Sequence, residues 1–469
     1  MRPRRLPLLL LALSLATLAS AAAPPPNVLF VYLDDFGWRD AGFMGSDFYE
    51  TPHLDALARG GMVFTEAYSN AANCAPARAS LLSGQYTPRH RIFNVGTGPR
   101  GDARHRRLLH VPGISTLPAE IVTWAEALQG AGYRTGLFGK WHLGLDPTTQ
   151  GFDVAVEHGK LPGFDGHLGP DGAYLADVLT HRAIEFVREN RAGPWCAYLA
   201  HFAVHTPLQP KTGLLAKYRA KPPGTLHDHV PMATMIQAVD DGVGRILEVL
   251  DELGQRDDTV ILFFSDNGGY GPATDMHPLR GYKGNYYEGG IRVPFFVHWP
   301  GVVAPGGSSA EPVIGVDVYP TLLDIAGAQR PDQPLDGVSL LPLLRGEVAS
   351  LPRRPLFWHF PAYLQSYRTS VLEQPDPLFR TRPCSVVRLG DFKLHQYFED
   401  GRLELYDLRR DVGEESNLAT ARPGKTRELL QVLEAWREEI GAPVPTEGNP
   451  EYDREAEVQA IRAVTTPAP

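Results

Sequence analysis

Cysteine is scarce in this sequence, which excludes a fold built on disulfide bonds. Only three cysteines, Cys74, Cys196 and Cys384, occur among 469 residues, whereas small disulfide-stabilised domains concentrate many in a short chain. Because three is an odd number, at least one thiol has no partner within the chain. Cys196 and Cys384 could form a bridge, although Cys196 falls in an apolar run where a buried free cysteine is the simpler interpretation.

Long apolar runs are also missing, except at the beginning of the chain. There, arginines at positions 2, 4 and 5 precede the apolar run Leu6–Leu18 and a series of small residues that ends at Ala23. This order is typical of a secretory signal peptide, and the run is too short to span a bilayer comfortably. We therefore predict a cleaved signal peptide over residues 1–22, a secreted or periplasmic protein, and no membrane span in the mature chain. An uncleaved anchor is the alternative.

Positive charge is in deficit. With 45 Lys and Arg against 54 Asp and Glu, the formal net charge is −9, which argues against nucleic acid as a partner. The hydrophobic share of 43% and the charged share of 21% are those of an ordinary soluble globular protein. A chain of this length is expected to form about two or three domains.

The sequence does contain an alternation of strand-like and helix-like segments, which predicts an α/β fold with a largely parallel sheet. Buried strands are predicted at Val28–Leu33, Thr135–Phe138, Trp195–Ala200 and Thr259–Phe264, and helices at Leu54–Ala58, Trp124–Leu128 and Val239–Leu253.

After Leu351 the pattern changes to short strands joined by Gly-Asp or Asp-Gly turns. The strands are predicted at Ser385–Leu389, Phe392–Tyr397 and Leu403–Leu408, and the helix that follows carries Leu429, Leu433, Trp436 and Ile440 on one stripe. We expect a main domain over residues 24–355 and a smaller antiparallel subdomain with one helix over residues 356–469. Its Pro-rich tail after Ala442 either wraps the surface or is disordered.

The predicted parallel strands each end in side chains that can do chemistry, and ligands bind at the carboxyl ends of such strands. These side chains are Asp34 and Asp35, Lys140 and His142, His205, and Asp266 and Asn267. A single Asp pair is usual turn chemistry. Two oxygen-rich pairs that each close a buried strand favour a divalent cation such as calcium, without which the carboxylates would repel one another.

A second group of residues is suited to an anionic substrate. Cys74 precedes a short predicted helix, Ala77–Ser83, and would face its positive end, with Arg78 on the same side. Lys140 and His142 share one face of an extended segment and could hold an oxyanion and move a proton. For each of these residues, and for His205 and Lys283, a purely structural role is the alternative on local grounds.

Taken in order, the motifs resemble those of the formylglycine-dependent sulfatases of the alkaline phosphatase superfamily. The resemblance extends from Asn27 to about Asn417, and one position departs from it, because Ala77 stands where the family usually has Ser. The matching segments are Asn27–Asp35, Cys74–Gly84, Gly139–Gly144, His205–Leu208, Ser265–Gly268 and Lys283–Pro294.

The resemblance implies an alkaline-phosphatase-like sandwich, with a large mostly parallel sheet flanked by helices and the smaller C-terminal subdomain. It implies removal of sulfate from a sulfated glycan or an aryl sulfate. It also implies that Cys74 is oxidised to formylglycine by a formylglycine-generating or anaerobic sulfatase-maturing enzyme, and that one hydroxyl of the hydrated aldehyde attacks sulfur.

The resemblance also implies a role for each matched residue. The metal ligands would be Asp34, Asp35, Asp266, Asn267 and the modified Cys74, with Ca²⁺ expected and Mg²⁺ as the alternative. Arg78 would hold the diol, His142 would deprotonate its second hydroxyl, and Lys140, His205 and Lys283 would bind sulfate. His205 or Lys283 would protonate the departing alcohol.

Other functions stay open at this point. A phosphate or phosphonate monoester hydrolase on the same fold would need similar groups, and an inactive glycan-binding homologue would keep Cys74 unconverted. A cysteine hydrolase with a Cys74 thiolate would leave the paired aspartates unexplained.

One segment is basic in an otherwise acidic chain. It could be a subsite for a further anionic group of a sulfated polysaccharide, or a solvated loop whose arginines pair with surface carboxylates. Its basic residues are Arg89, His90, Arg91, Arg100, Arg104, His105, Arg106, Arg107 and His110.

Overall fold

The computed structural model describes residues 25–367 and 376–465. The predicted signal peptide lies outside the described residues. The strands are Asn27–Leu33 (β1), Met62–Phe64 (β2), Ala67–Tyr68 (β3), Arg134–Gly139 (β4), Val154–Glu157 (β5), Trp195–Ala200 (β6), Thr259–Ser265 (β7), Phe295–His298 (β8), Gly307–Ser309 (β9), Val313–Ile314 (β10), Pro355–Phe360 (β11), Leu364–Gln365 (β12), Phe379–Thr381 (β13), Cys384–Leu389 (β14), Phe392–Tyr397 (β15) and Leu403–Asp407 (β16).

The helices include three of only four residues each. They are Pro52–Arg59 (α1), Cys74–Ser83 (α2), Thr87–His90 (α3), Trp124–Gly130 (α4), Leu175–Glu189 (α5), Leu215–Ala220 (α6), Val230–Glu252 (α7), Glu288–Ile291 (α8), Val318–Ala326 (α9), Leu341–Leu344 (α10), Pro423–Glu439 (α11) and Arg454–Thr465 (α12). Among the described residues, no helix combines the length and the apolar composition that a membrane crossing requires.

The main sheet has eight strands in the order β5-β4-β6-β1-β7-β8-β2-β9. Strands β5, β4, β6, β1 and β7 are parallel neighbours, whereas β8 runs antiparallel to both β7 and β2. The four buried strands predicted from sequence are therefore confirmed, and they are consecutive in the sheet. This arrangement brings the carboxyl ends of all four to one edge.

Both faces of the sheet are covered, as the α/β prediction requires. Along β1, Phe30 and Tyr32 pack in one core with Trp124 of α4. The alternate residues Leu29 and Val31 pack in a second core beside α5 and α7. Because every residue of β1 is buried, the strand has the continuous apolar sequence by which it was predicted.

The C-terminal part contains the predicted antiparallel sheet, with four strands in the order β11-β14-β15-β16. Leu429, Leu433 and Trp436 of α11 lie in the core beneath it. The tail wraps the surface, and it contains a helix, α12, that the sequence pattern did not predict. The bridge considered between Cys196 and Cys384 is wrong, because both thiols are free and they lie in separate cores.

A buried ion cluster joins the two parts. Lys393 of β15 has no exposed side-chain surface, and its Nζ lies 2.9 Å from Glu288 Oε1 of α8 and 3.0 Å from Glu414 Oε1. Buried charges of this kind are stable only when every partner is present.

The change Lys393→Met is expected to lower the free energy of unfolding by about 3 kcal/mol or more, because the buried carboxylates of Glu288 and Glu414 lose the ammonium group between them. Urea unfolding followed by circular dichroism measures this loss. Lys425→Met is the matched control, since Lys425 is partly exposed beside Glu428 and its loss should cost less than about 1 kcal/mol. Equal destabilisation by the two variants would contradict a special role for the buried cluster.

Candidate active site

The parallel register of β1 and β7 places the two oxygen-rich pairs side by side. Leu33 is opposite Ser265, so Asp34 and Asp266 leave the sheet as neighbours. The backbone N–H of Asp35 donates to Asp266 Oδ1 at 3.1 Å, and Asn267 Nδ2 donates to Asp35 Oδ1 at 2.8 Å. The predicted convergence of Asp34, Asp35, Asp266 and Asn267 is therefore present.

Cys74 is the first residue of α2, which begins three residues before the predicted start and ends at Gly84, where φ is +69°. All ten residues of α2 are buried, so the helix start is fixed inside the protein. The Cys74 Sγ and one carboxylate oxygen each of Asp34 and Asp266 all lie within 4.8 Å of one another. The thiol thus lies at the paired carboxylates, next to the free N–H groups of a helix.

Arg78 lies one turn along α2 and is completely buried. Its Nη2 lies 2.9 Å from Asp266 Oδ2 and 3.8 Å from Asp34 Oδ2, and its Nη1 donates to the Lys140 carbonyl at 3.1 Å. Burial opposes the charge of the guanidinium, but the two carboxylates raise the pKa of Arg78 above its ordinary value. The guanidinium therefore holds the ends of three strands, β1, β4 and β7, in place.

The lysines pair with the two aspartates of β1. Lys140 Nζ forms an ion pair with Asp34, and Lys283 Nζ lies 2.6 Å from Asp35 Oδ1. His205 Nε2 is 3.8 Å from Asp35 Oδ2, with about a quarter of its side chain exposed. Burial alone would raise the pKa of Asp34, but its cationic neighbours, of which Lys140 is the strongest, hold that pKa well below the ordinary value.

His142 has a strained backbone, with φ of +67°, a conformation that non-glycine residues rarely adopt. Burial, and secondly the charge of Lys140, lower the pKa of His142 to about 3. Its Nδ1 is buried without a hydrogen-bond partner among residues 25–367 and 376–465. The imidazole is therefore neutral at physiological pH and able to accept a proton.

Two oxygens of the site also lack partners in the described part of the chain. They are Asp34 Oδ1 and Asn267 Oδ1, and both are buried. A buried acceptor without a donor is costly. Burial, and secondly repulsion from the Asp34 carboxylate, raise the pKa of Asp266 well above its ordinary value. A divalent cation would satisfy the oxygens and remove this repulsion, so the residues present fit a metal ion.

Comparison with known proteins identifies the family. The sequence model of the sulfatase family matches residues 26–328. A second model, described as the C-terminal part of N-sulphoglucosamine sulphohydrolase, matches residues 282–439. The chain belongs to the sulfatase family. Membership confirms the predicted enzyme class, a sulfuric ester hydrolase.

Individual sulfatases agree along most of the chain. A sulfatase of Formosa agariphila is 30% identical over 89% of this chain and 90% of its own length. Arylsulfatase A of Homo sapiens is 31% identical over 88% of this chain and 87% of its own. The crystal structure of Ps i-CgsB in complex with k-i-k-neocarrahexaose superposes with a TM-score of 0.72 at 26% identity, covering 94% of this chain and 98% of that one.

The sulfatase site opens into a cavity of about 560 Å³. Among the predicted site residues, Asp35, Cys74, Lys140, His142, His205 and Lys283 line it. Sequence reasoning missed several lining side chains, because no motif marks them and they lie far apart along the chain. They are His158, Tyr270, Tyr367 and Arg380.

The basic segment of this sulfatase does not act as one patch. Arg89 pairs with Asp336 at 2.9 Å, Arg104 with Asp102 at 2.6 Å and Arg107 with Glu457 of α12 at 3.3 Å. Of its six arginines, Arg100 alone lines the cavity. Of the two interpretations of the segment, pairing with carboxylates therefore holds for Arg89, Arg104 and Arg107, and residues 104–109 dock the C-terminal tail.

Proposed function

We propose that this sulfatase removes sulfate from a sulfated carbohydrate, with Cys74 converted to formylglycine as its nucleophile. The observation that carries the proposal is the position of Cys74, whose Sγ lies within 4.8 Å of the Asp34 and Asp266 carboxylates at the start of a buried helix. A thiol that served only for packing would gain nothing from two carboxylates beside it.

The formylglycine would supply two hydroxyls on one carbon when hydrated, one to attack sulfur and one to release sulfate afterwards. Asp34, Asp35, Asp266 and Asn267, together with the modified Cys74, would hold the divalent cation. Calcium suits this all-oxygen set, with magnesium as the alternative. The cation would supply Lewis-acid polarisation of the sulfate oxygens.

The cations of the chain would neutralise the sulfate. Lys140 and Lys283 both line the cavity, and each is anchored to an aspartate of the metal set. Fixed charges in a water-poor site stabilise charge that develops during reaction without reorganising. Arg78, held by Asp266 at 2.9 Å, would orient the hydroxyls at position 74.

We assign the two proton transfers to His142 and His205. His142 is neutral because its pKa is lowered to about 3, so it can accept a proton from the hydroxyl that does not attack sulfur. His205 is partly exposed toward the cavity, and it can protonate the departing alcohol, a role for which Lys283 is the alternative.

A sulfated carbohydrate is supported by the cavity and by one relative. A volume of about 560 Å³ accommodates more than a sulfate group, and pockets of a few hundred Å³ suit small organic ligands. A solved relative of the same fold holds a neocarrahexaose. A formylglycine-generating or anaerobic sulfatase-maturing enzyme would be the required partner, and export by the predicted signal peptide would bring the protein to polymeric substrates.

Mass spectrometry of the tryptic peptide that contains position 74 tests the proposal. In protein made together with a maturing enzyme, we expect the thiol mass to be replaced by that of an aldehyde, in step with sulfate release from a panel of sulfated sugars. Matched phosphate monoesters form the control arm. Full activity with an unmodified Cys74, or a preference for phosphate esters, would overturn the proposal.

A further inference from the structure

We infer that Arg100 and Arg380 form a second anion site in the cavity, which selects substrates with another sulfate or a carboxylate near the ester that is cleaved. The inference rests on the proposed function and adds the substrate class. Both arginines line the same cavity as Cys74, although they are 280 residues apart in the chain.

Arg380 lies against the loop that carries Lys283. A Cβ at Gly284, where φ is +95°, would lie only 2.8 Å from Arg380 Cδ, so the absence of a side chain at Gly284 admits the arginine. Asn285 Nδ2 also donates to the Arg380 carbonyl. The guanidinium of Arg380 therefore belongs to the neighbourhood of a proposed sulfate-binding lysine.

Neutral groups hold the Arg380 guanidinium. Its Nε donates to the Gln365 carbonyl at 2.9 Å and its Nη1 to the Tyr367 hydroxyl at 2.7 Å, and it stacks over the Tyr367 ring at 4.1 Å. Within residues 25–367 and 376–465 it has no carboxylate partner. Its direction is thus fixed while its charge stays available to a ligand.

Arg100 is likewise held by a neutral group, and its segment comes close to the β12–β13 strand pair, to which Arg380 belongs. Its Nη2 donates to the Val95 carbonyl at 2.8 Å, and no described carboxylate pairs with it. The next residue, Gly101, donates its backbone N–H to Gln365 Oε1 at 3.1 Å. Gln365 therefore contacts both segments, since its side chain accepts from Gly101, the residue after Arg100, and its carbonyl accepts from Arg380 Nε.

Three other arginines nearby differ from Arg100 and Arg380, because they pair with carboxylates. Arg104 and Arg107 pair with carboxylates outside the cavity, and Arg382, two residues after Arg380, pairs with Asp376 and Glu399. Arg100 and Arg380, by contrast, have no carboxylate partner among residues 25–367 and 376–465. A guanidinium presents a fixed fork that matches sulfate and carboxylate oxygens, so two arginines that line one cavity suit a second anion.

Kinetics on matched substrates test this site. The probes are a neutral hexose with one sulfate, the same hexose with two sulfates, and a hexuronic acid with one sulfate, each as positional isomers. We expect the parent to prefer the doubly charged sugars in kcat/KM. Arg100→Gln and Arg380→Gln should each lower that preference about tenfold to hundredfold, the usual value of a charge-assisted contact. Arg104→Gln is the control and should keep the preference.

The outcomes separate this inference from the proposed function. Loss of preference for only one of the two anions names that anion as the ligand. An unchanged preference in both cavity variants, with sulfate still released, would overturn the second site alone. Should no sugar release sulfate, binding of the same probes to the Cys74→Ala protein by calorimetry still decides it. No hydrogen bond or ion pair among the described residues joins Arg100 to the loop that carries Lys283, so its variant separates the second site from an effect on Lys283.

Discussion

Replacing Cys74 by Ala is expected to lower sulfate ester hydrolysis by at least about 10⁴-fold, as the loss of a nucleophile does in other hydrolases. The fold should survive, because Ala is a good helix former and α2 already contains Ala75, Ala77 and Ala79. Initial rates on a sulfated sugar measure the loss, and circular dichroism with thermal unfolding verifies the fold.

Cys74→Ser refines the same prediction. A serine hydroxyl can accept the sulfuryl group but has no second hydroxyl on its carbon to expel sulfate, so at most one turnover per molecule is expected. Mass spectrometry should then show a stable sulfate ester on position 74. Cys384→Ala is the control, since that thiol is buried in the C-terminal core. Steady turnover by the alanine variant at position 74 would refute the mechanism.

The main sheet was predictable because the sequence signal of each buried strand is local. Strands buried on both faces have continuous apolar sequences, and β1 and β7 are such strands. Parallel register then brings Asp34 next to Asp266, because β1 and β7 are neighbours in the sheet. The position of Cys74 beside them needed the resemblance to a known family, because nothing local specifies how α2 packs on the sheet.

The other features could not be predicted, because they depend on contacts between segments that are far apart in the sequence. The segments that carry Arg100 and Arg380 meet at Gln365, which contacts Gly101 and Arg380, and no pattern in the sequence links these positions. Charge alone suggested the basic segment as a subsite. In the structure, however, Arg107 pairs with Glu457 of α12, a helix that the sequence pattern did not predict. Helix α7 starts at Val230 rather than Val239, so the prediction left out its first turns, although Met232, Met235 and Ile236 are buried there at helical spacing. The division of the chain at residues 355 and 356 stays a prediction.

Removal of the metal is the second change with a large expected effect. Dialysis against a chelator should abolish turnover, and calcium should restore it better than zinc, because the proposed ligands include no imidazole and only oxygens once Cys74 is converted. The reason lies in the site itself, where Asp34 Oδ1 and Asn267 Oδ1 are buried without donors in the described part of the chain.

Thermal unfolding gives a reading that does not depend on activity. Calcium at about 100 times its dissociation constant should stabilise the protein by about 2.7 kcal/mol, because it binds only the folded chain. Asp266→Asn should lose most of this gain, since it removes one charge from the ligand set. Asp146→Asn, at an exposed carboxylate paired with Lys160, should keep it. A chelated enzyme that stays fully active, or a calcium response that survives Asp266→Asn unchanged, would show that these residues do not hold a catalytic cation.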